Sequence, residues 1–339
     1  MLMRLKMKNI GILTLHNALN YGAFLQAFAL QTVLQEQGHQ VKIIDLSKNR
    51  LLDRLWLIKC KYPKKMIHHY KLLKQFDKVA DKLKITRSNP NDFDTVIVGS
   101  DEVWNLANNF THYPQYLGKG ISVSNLISYA VSANILTPGQ FKQLAGEECK
   151  FSEFKHISVR DSYTYRLVKE VSCKEPALVS DPTLLLAEWK NWASPCPDKN
   201  FIFLYEMGIK ESEKEKVQQF AKQTGKQIIS MGCDLPWCDK NLYGTPFDFL
   251  GYMKAADYVI TSQFHGVMFS VIFNKEVSIF PQNKSKVLDA MDWLSLTDRD
   301  ATNIPDLQSV FSKPMDYVRI NKLAEQRRKE SLSWLFNNI

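Results

Sequence analysis

NIGILTLHNALNYGAFLQAFALQTVLQEQGHQVKIIDL, residues 9–46, decides the fold class. Asn9 to Leu15 is an apolar run of strand length, and after the polar loop His16 to Tyr21 the segment Gly22 to Gln37 carries Phe24, Leu25, Phe28, Val33 and Leu34 at roughly helical spacing. Gly38 ends that helix, and Val41 to Leu46 is a second strand. A strand, a helix and a strand in so short a span predict a parallel pair joined by a right-handed crossover.

The alternation continues outward from this unit. Strands are predicted at Thr95 to Val98, Asn125 to Val131, His156 to Val159 and near Ala177 to Val179, with a helix from Asp161 to Val171. Ala193 to Asn200 holds two prolines and no periodicity, which marks it as a linker. Beyond it come strands at Phe201 to Glu206, Gln227 to Met231, Tyr258 to Thr261 and Val277 to Phe280. They are separated by helices at Lys210 to Thr224 and Pro246 to Ala255 and by the apolar segment Phe264 to Phe273. The expected architecture is α/β with two Rossmann-like domains, residues 1–192 and 200–313, and a cleft between them. A basic helical insertion at about 48–88 should decorate the first domain, and a C-terminal helix in 314–339 should pack back on it.

The 339 residues, 45% hydrophobic and 23% charged, have the composition of a folded protein. The net charge of +9 is local: Lys42 to Arg87 holds fourteen Lys or Arg against four Asp or Glu, which covers the whole excess. Such a stretch is either a solvated face or a contact for an anionic partner. The six cysteines show no CxxC pair and no metal-ligand spacing, so reduced structural thiols in the cytoplasm are the default reading. No apolar run reaches the roughly 18 residues of a membrane span, and no cleavage site follows the first strand. A soluble, cytoplasmic protein is expected, with contact at the inner membrane face left open.

Ligands of open parallel sheets bind beyond the carboxyl ends of the strands, which singles out four loops. In His16-Asn-Ala-Leu-Asn-Tyr-Gly22, Gly22 and its neighbouring amides head a helix and suit an anion, with an Asn-rich turn as the bland alternative. In Gly99-Ser-Asp-Glu-Val-Trp-Asn105, Asp101 stands at a strand's mouth as an acid or a helix cap, and Trp104 supplies apolar surface. Arg160 ends the strand in Ser158-Val-Arg-Asp-Ser162, where its planar fork suits a carboxylate or phosphate. His265 and Gly266 stand at a strand-to-helix turn.

Together these loops resemble the polysaccharide pyruvyl transferase family. The matching segments are Ile10 to Gln31, VIVGSDEVWN at Val96 to Asn105, ISVRD at Ile157 to Asp161, SDPTLLL at Ser180 to Leu186 and ADYVITSQFHGVMFSVIF at Ala256 to Phe273, in the family's order. The resemblance implies a GT-B-like pair of domains and transfer of a pyruvyl group from phosphoenolpyruvate to two hydroxyls of a sugar, forming a cyclic ketal in bacterial exopolysaccharide or capsule. It implies catalytic roles for His265, Asp101 and Arg160. Donor contacts fall on Arg160, Gln263, Phe264, His265 and Gly266, and acceptor contacts on Asn17, Asn20, Tyr21, Gly22, Ser100 and Trp104. Phosphoenolpyruvate is then the donor substrate, with no further cofactor and no metal, and the partner is a sugar acceptor, either free or carried on a polyprenyl phosphate.

One position departs from the family pattern: Gln263 stands where characterised members carry arginine, which removes a guanidinium expected near the donor. Two other functions compete. One is a GT-B-type glycosyltransferase using a nucleotide sugar, with Glu276 binding a ribose; the other is a non-catalytic glycan-binding member. Asp101, Arg160 and His265 together argue for chemistry, since mere binding has no need of an acid, a base and a cation in one place. For the basic stretch, a membrane surface or an acceptor phosphate is preferred over nucleic acid.

Overall fold

The computed structural model describes residues 7–47, 55, 63–108, 113–146 and 149–339. Its first sheet holds β1 (Asn9–Leu13), β2 (Gln40–Ile44), β3 (Ile85–Thr86), β4 (Thr95–Val98), β5 (Asn125–Val131), β6 (His156–Val159) and β7 (Ala177–Leu178), in the order β3-β2-β1-β4-β5-β6-β7. β8 (Phe201–Tyr205), β9 (Gln227–Met231), β10 (Lys240–Leu242), β11 (Tyr258–Thr261) and β12 (Val277–Ile279) form the second, in the order β10-β9-β8-β11-β12. Neighbouring strands are parallel throughout, with Ile10 opposite Val41 on one side and Thr95 on the other. Chain order reverses beside β1 and beside β8, so each sheet has a switch point with a crevice at its carboxyl ends.

The helices are α1 (Tyr21–Glu36), α2 (Pro63–Asp77), α3 (Pro138–Ala145), α4 (Ser162–Ser172), α5 (Pro182–Leu185), α6 (Glu211–Thr224), α7 (Pro246–Ala255), α8 (Phe264–Ile272), α9 (Ser285–Trp293), α10 (Gln308–Phe311) and α11 (Tyr317–Asn338). β4, β5, β6, β9, β11 and α7 have the bounds expected from the sequence. The elements not anticipated are β3, β10, α3, α5, α9 and α10, most of them short and with too few residues to carry a period.

α1 holds the two halves together. Thirteen of its sixteen residues are buried, on every face, so it is a core helix and not an amphipathic surface one. Its partners come from both sides: Phe28 meets Trp192 at 4.7 Å and Phe247 at 5.4 Å, and Tyr21 stacks on Phe249 at 5.0 Å between ring centroids. One apolar core therefore runs from Ile10 and Ile43 under the first sheet to Phe203 and Val259 in the second. The segment expected as a linker is tightly held, since the Ser194 amide donates to the Phe247 carbonyl at 3.0 Å and a Cβ at Gly251 would come under 3.0 Å from Ser194.

Residues 48–54 and 56–62 of the expected basic insertion lie outside the described residues. The described part corrects its reading as decoration. Leu72 and Phe76 of α2 are buried, Phe76 stacks on Tyr21 at 5.5 Å, and His68 Nε2 lies 3.1 Å from the Gly232 carbonyl beyond β9. The lysine-rich helix thus spans from the first half to the second. α11 lies against the first sheet: Asn125 Nδ2 donates to the Asn338 carbonyl at 2.9 Å, the Ser180 amide to Ser331 Oγ at 2.8 Å, and Trp334 meets Tyr129. Among the described residues no helix is long and apolar enough to cross a membrane.

Candidate active site

Four loop ends deliver charge to one point between the sheets. After β4, Gly99 takes φ 112°, and a Cβ there would come under 3.0 Å from the Tyr129 carbonyl oxygen, so glycine is required. Asp101 follows at φ 71°, uncommon for a residue with a Cβ, and its carbonyl accepts from the Ser132 amide at 2.9 Å. After β6, Arg160 turns inward while Asp161 caps α4 through the Thr164 amide at 2.7 Å. Asp181 caps α5 through the Thr183 amide at 3.0 Å, and His265 stands in the first turn of α8.

Arg160 is the hub. Its Nη2 donates to Asp101 Oδ1 at 2.9 Å and its Nη1 to Asp181 Oδ2 at 2.6 Å, while the guanidinium lies over the Phe264 ring at 4.8 Å. His265 Nε2 approaches the same Asp181 oxygen to 3.7 Å, an ion-pair distance beyond hydrogen-bond reach. The Arg160 side chain is 1% exposed and that of Asp181 0%, so removing either leaves the other a buried charge short of a counter-ion. Burial pushes the Asp181 carboxyl up, but His265, Arg160 and the Thr183 amide outweigh it and hold the group well below the usual carboxylate range. Burial likewise works against the Arg160 charge and is outweighed by Asp101 and Asp181. Two buried nitrogens, Arg160 Nε and His265 Nε2, are left without a hydrogen-bond partner.

The sequence reading brought together Asp101, Arg160 and His265 but missed Asp181, which joins the arginine of one half to the histidine of the other. It also gave Gly22 an anion. The structure gives it the imidazole: a Cβ on Gly22 would lie under 3.0 Å from three atoms of the His265 ring. Gly266 is likewise a packing glycine, closed against the Thr261 side chain. Phe264 is buried beneath Arg160, where it meets the guanidinium instead of a ligand. Gln263 is partly exposed, and its Nε2 donates to Ser262 Oγ at 3.1 Å.

Two acceptor expectations are corrected. Trp104 is fully buried, donates its indole N–H to the Tyr116 carbonyl at 2.7 Å and packs on Phe151 and Phe154. Ser100 is fully buried, its hydroxyl given to Gln26 at 2.7 Å. Tyr21 stacks between Phe76 and Phe249 and its hydroxyl donates to the Gly244 carbonyl at 3.2 Å, while Tyr21 and Asn20 both border the larger cleft. Asn20 caps α1 through the Ala23 amide, and Asn17 lines a small pocket with Leu73 and Phe76. Glu276 precedes β12 and so lies at the amino end of the sheet, opposite the crevice. There it accepts from the Met315 amide at 3.2 Å and pairs with Arg299, which removes the ribose reading.

A cleft of about 640 Å³ opens beside the cluster, and Asp101, Arg160 and His265 are not among its walls. Lys64, Lys65, His68 and His69 of α2 form one side, and Glu206 and Asp234, beyond β8 and β9, the other. Cys233 also faces it, but burial pushes its thiol up to about 12, so it stays protonated. Among the described residues no group of three or more His, Cys, Asp or Glu could hold a metal ion.

The model of the family described as polysaccharide pyruvyl transferase matches residues 20–282. No curated protein matches in sequence. Among solved structures, a UDP-N-acetylglucosamine 2-epimerase from Listeria monocytogenes, described as putative, is 8% identical at TM-score 0.53, covering 98% of this chain and 95% of the other. The S. aureus MnaA–UDP structure is 12% identical at TM-score 0.51, covering 98% of each. The Streptomyces sp. SF2575 glycosyltransferase SsfS6 is 13% identical at TM-score 0.44 over 96% of each. At these identities the likeness to the first two, both above TM-score 0.5, speaks for a GT-B-like fold alone.

Proposed function

Because the chain belongs to the polysaccharide pyruvyl transferase family, we propose that it moves a pyruvyl group from phosphoenolpyruvate onto two hydroxyls of a sugar in a surface polysaccharide or its lipid-linked precursor, closing a cyclic ketal. The observation that carries this reading is the bridge of Asp181 between Arg160 and His265, with Asp101 on the second arm of the same guanidinium. The cluster as it stands sets two carboxylates on one guanidinium, one negative charge in excess before any contribution from His265. The donor also brings two anionic groups, a carboxylate and a phosphate. Its carboxylate takes the Arg160 arm that Asp101 now holds, and Asp101 is released to act as a base.

The steps then balance. His265 delivers a proton to the C3 methylene of the donor, the first sugar hydroxyl bonds to C2, and Asp101 takes that hydroxyl's proton. The second hydroxyl closes on C2 as the bond from C2 to the phosphate oxygen breaks, and its proton leaves with phosphate. Each proton transfer is worth about 10²–10⁴-fold. His265→Ala and Asp101→Asn should therefore each lower phosphate release by about 10²-fold or more in a coupled assay with a sugar acceptor. Mass spectrometry of the acceptor should show the pyruvyl ketal in the wild type. Near-wild-type rates in both folded variants would remove the assignment; release of UDP from a nucleotide sugar, with none of phosphate, would replace it with the glycosyltransferase reading.

The acceptor's phosphate, where it has one, is assigned to α2. Lys64 and Lys65 are exposed at the cleft's mouth. Changing both to Glu should raise KM for a diphosphate-linked acceptor several-fold at low salt and leave a free sugar unaffected, since exposed charges reach about 30 Å at 0.01 M salt and only about 10 Å at 0.1 M. Equal effects on both acceptors would return the lysines to a solvated face.

A further inference from the structure

Lys284 precedes α9, just beyond the family-matched residues, and its Nζ donates to the Ser262 carbonyl at 3.0 Å. That carbonyl belongs to the loop that carries Gln263 and His265. Among the described residues no carboxylate lies within ion-pair distance of Lys284, while its neighbour Lys286 is paired with Glu102, next to Asp101. The next side chain, Ser285, has a buried hydroxyl with no partner. α9 and α8 pack together, their first turns following the adjacent strands β12 and β11, and α9 also touches α4, where Asp289 Oδ2 lies 3.4 Å from the Ser162 amide. Two helix amino ends, each with a positive end charge, thus stand together at the border of the Arg160 cluster. The half-buried Lys284 ammonium and the buried Ser285 hydroxyl both belong to the amino end of α9. Burial and the nearby Lys286 lower the Lys284 ammonium, and Glu206 and Glu102 offset that only in part.

We infer that Lys284 and the Ser285 hydroxyl form an oxyanion subsite that takes the phosphate of the three-carbon donor, supplying from another strand end the cation that Gln263 does not provide. The inference rests on the donor reading above. An arginine need not sit at 263 if a lysine reaches the same loop, and the two side chains already share Ser262: Gln263 donates to its hydroxyl and Lys284 to its carbonyl.

The test is direct binding by calorimetry, with no acceptor and no turnover, using phosphoenolpyruvate and inorganic phosphate as probes. Lys284→Gln should weaken both about tenfold, Lys284→Arg should stay within a few-fold of wild type, and Ser285→Ala should cost a few-fold. Gln263→Arg placed in the Lys284→Gln background should recover binding. Thermal unfolding of each variant checks folding, and the Arg variant controls for loss of packing. If the wild type transfers pyruvyl groups and Lys284→Gln binds both probes as well as it does, the subsite is overturned while the function stands. If no pyruvyl transfer occurs but phosphate still binds in a Lys284-dependent way, the function falls and the subsite stands. A wild type that binds neither probe overturns the subsite.

Discussion

Gly22→Ala should cost about 10²-fold in pyruvyl transfer, although the substitution places the better helix former near the start of a helix. By propensity alone alanine gains about 1 kcal/mol over glycine inside a helix. Here the added methyl would enter the His265 ring, under 3.0 Å from three of its atoms. The ring has little room to withdraw. Its edge meets Phe264 at 5.2 Å between centroids, and Asp181 lies 3.7 Å from Nε2 on a side chain that is 0% exposed. With the nearest ring atom at 1.9 Å, the neighbours must shift by more than about 1 Å. Overpacking of this kind costs about 1–3 kcal/mol, which more than cancels the propensity gain. For catalysis the displacement matters more, since misplacing a reacting group by about 1 Å can cost 10²-fold. The paired measurement is phosphate release against urea unfolding. A variant more stable than wild type with full activity would show that His265 is free to move, and the proposed proton delivery to C3 would lose its geometric basis.

The same position shows where the sequence was legible. Gly22 follows a polar loop after a strand and opens a helix, a pattern that fits an anion-binding amide and a packing glycine equally well. Which one it is depends on a residue of the other half of the chain. Trp104 failed in the same way: a large ring after a strand faces a crevice or the core, and its partners Phe151 and Phe154 lie in another loop. By contrast, the central strands at Thr95–Val98, Asn125–Val131 and Tyr258–Thr261 were readable to the residue. Strands buried on both faces form unbroken apolar runs with abrupt polar ends. β3 and β10, two and three residues long at sheet edges, offer no such run.

α1 lies between these cases. Its helical spacing identified it, while its burial on every face followed from being the element that both sheets share, through Phe28 against Phe247 and Tyr21 against Phe249. The basic helix α2 misled for the opposite reason. Its lysines dominated the reading, but its position is set by Leu72 and Phe76, which anchor it over the junction and bring Lys64 and Lys65 to the cleft. Charge described the helix's outer face and said nothing of what it covers.

Asp181 is the residue with the most to lose. Ahead of Pro182 it reads as an ordinary helix cap, and it does cap α5, with Oδ1 accepting from Thr183. Its other oxygen holds Arg160, 21 residues back along the chain. Removing one partner of a buried ion pair costs about 3–5 kcal/mol. Because Asp101 still accepts from Arg160, Asp181→Asn should fall near the lower end, and Asp181→Ala, which also removes the cap, higher. The pH dependence gives the sign. The Asp181 carboxyl is depressed in the folded state, so its contribution is fully present above the unfolded value of about 3.9 and fades as pH falls through the depressed folded value. The stability gap between wild type and Asp181→Asn, from urea unfolding, should be constant from about pH 7 to pH 5 and narrow below about pH 4. Activity should drop even under conditions where Asp181→Asn is fully folded, since the charged oxygen shared by Arg160 and His265 is lost while Asp101 holds only the arginine. A gap that stays flat into acid, or a folded variant with wild-type phosphate release, would mean that Asp181 only caps its helix and that the two halves of the site are held together by something else.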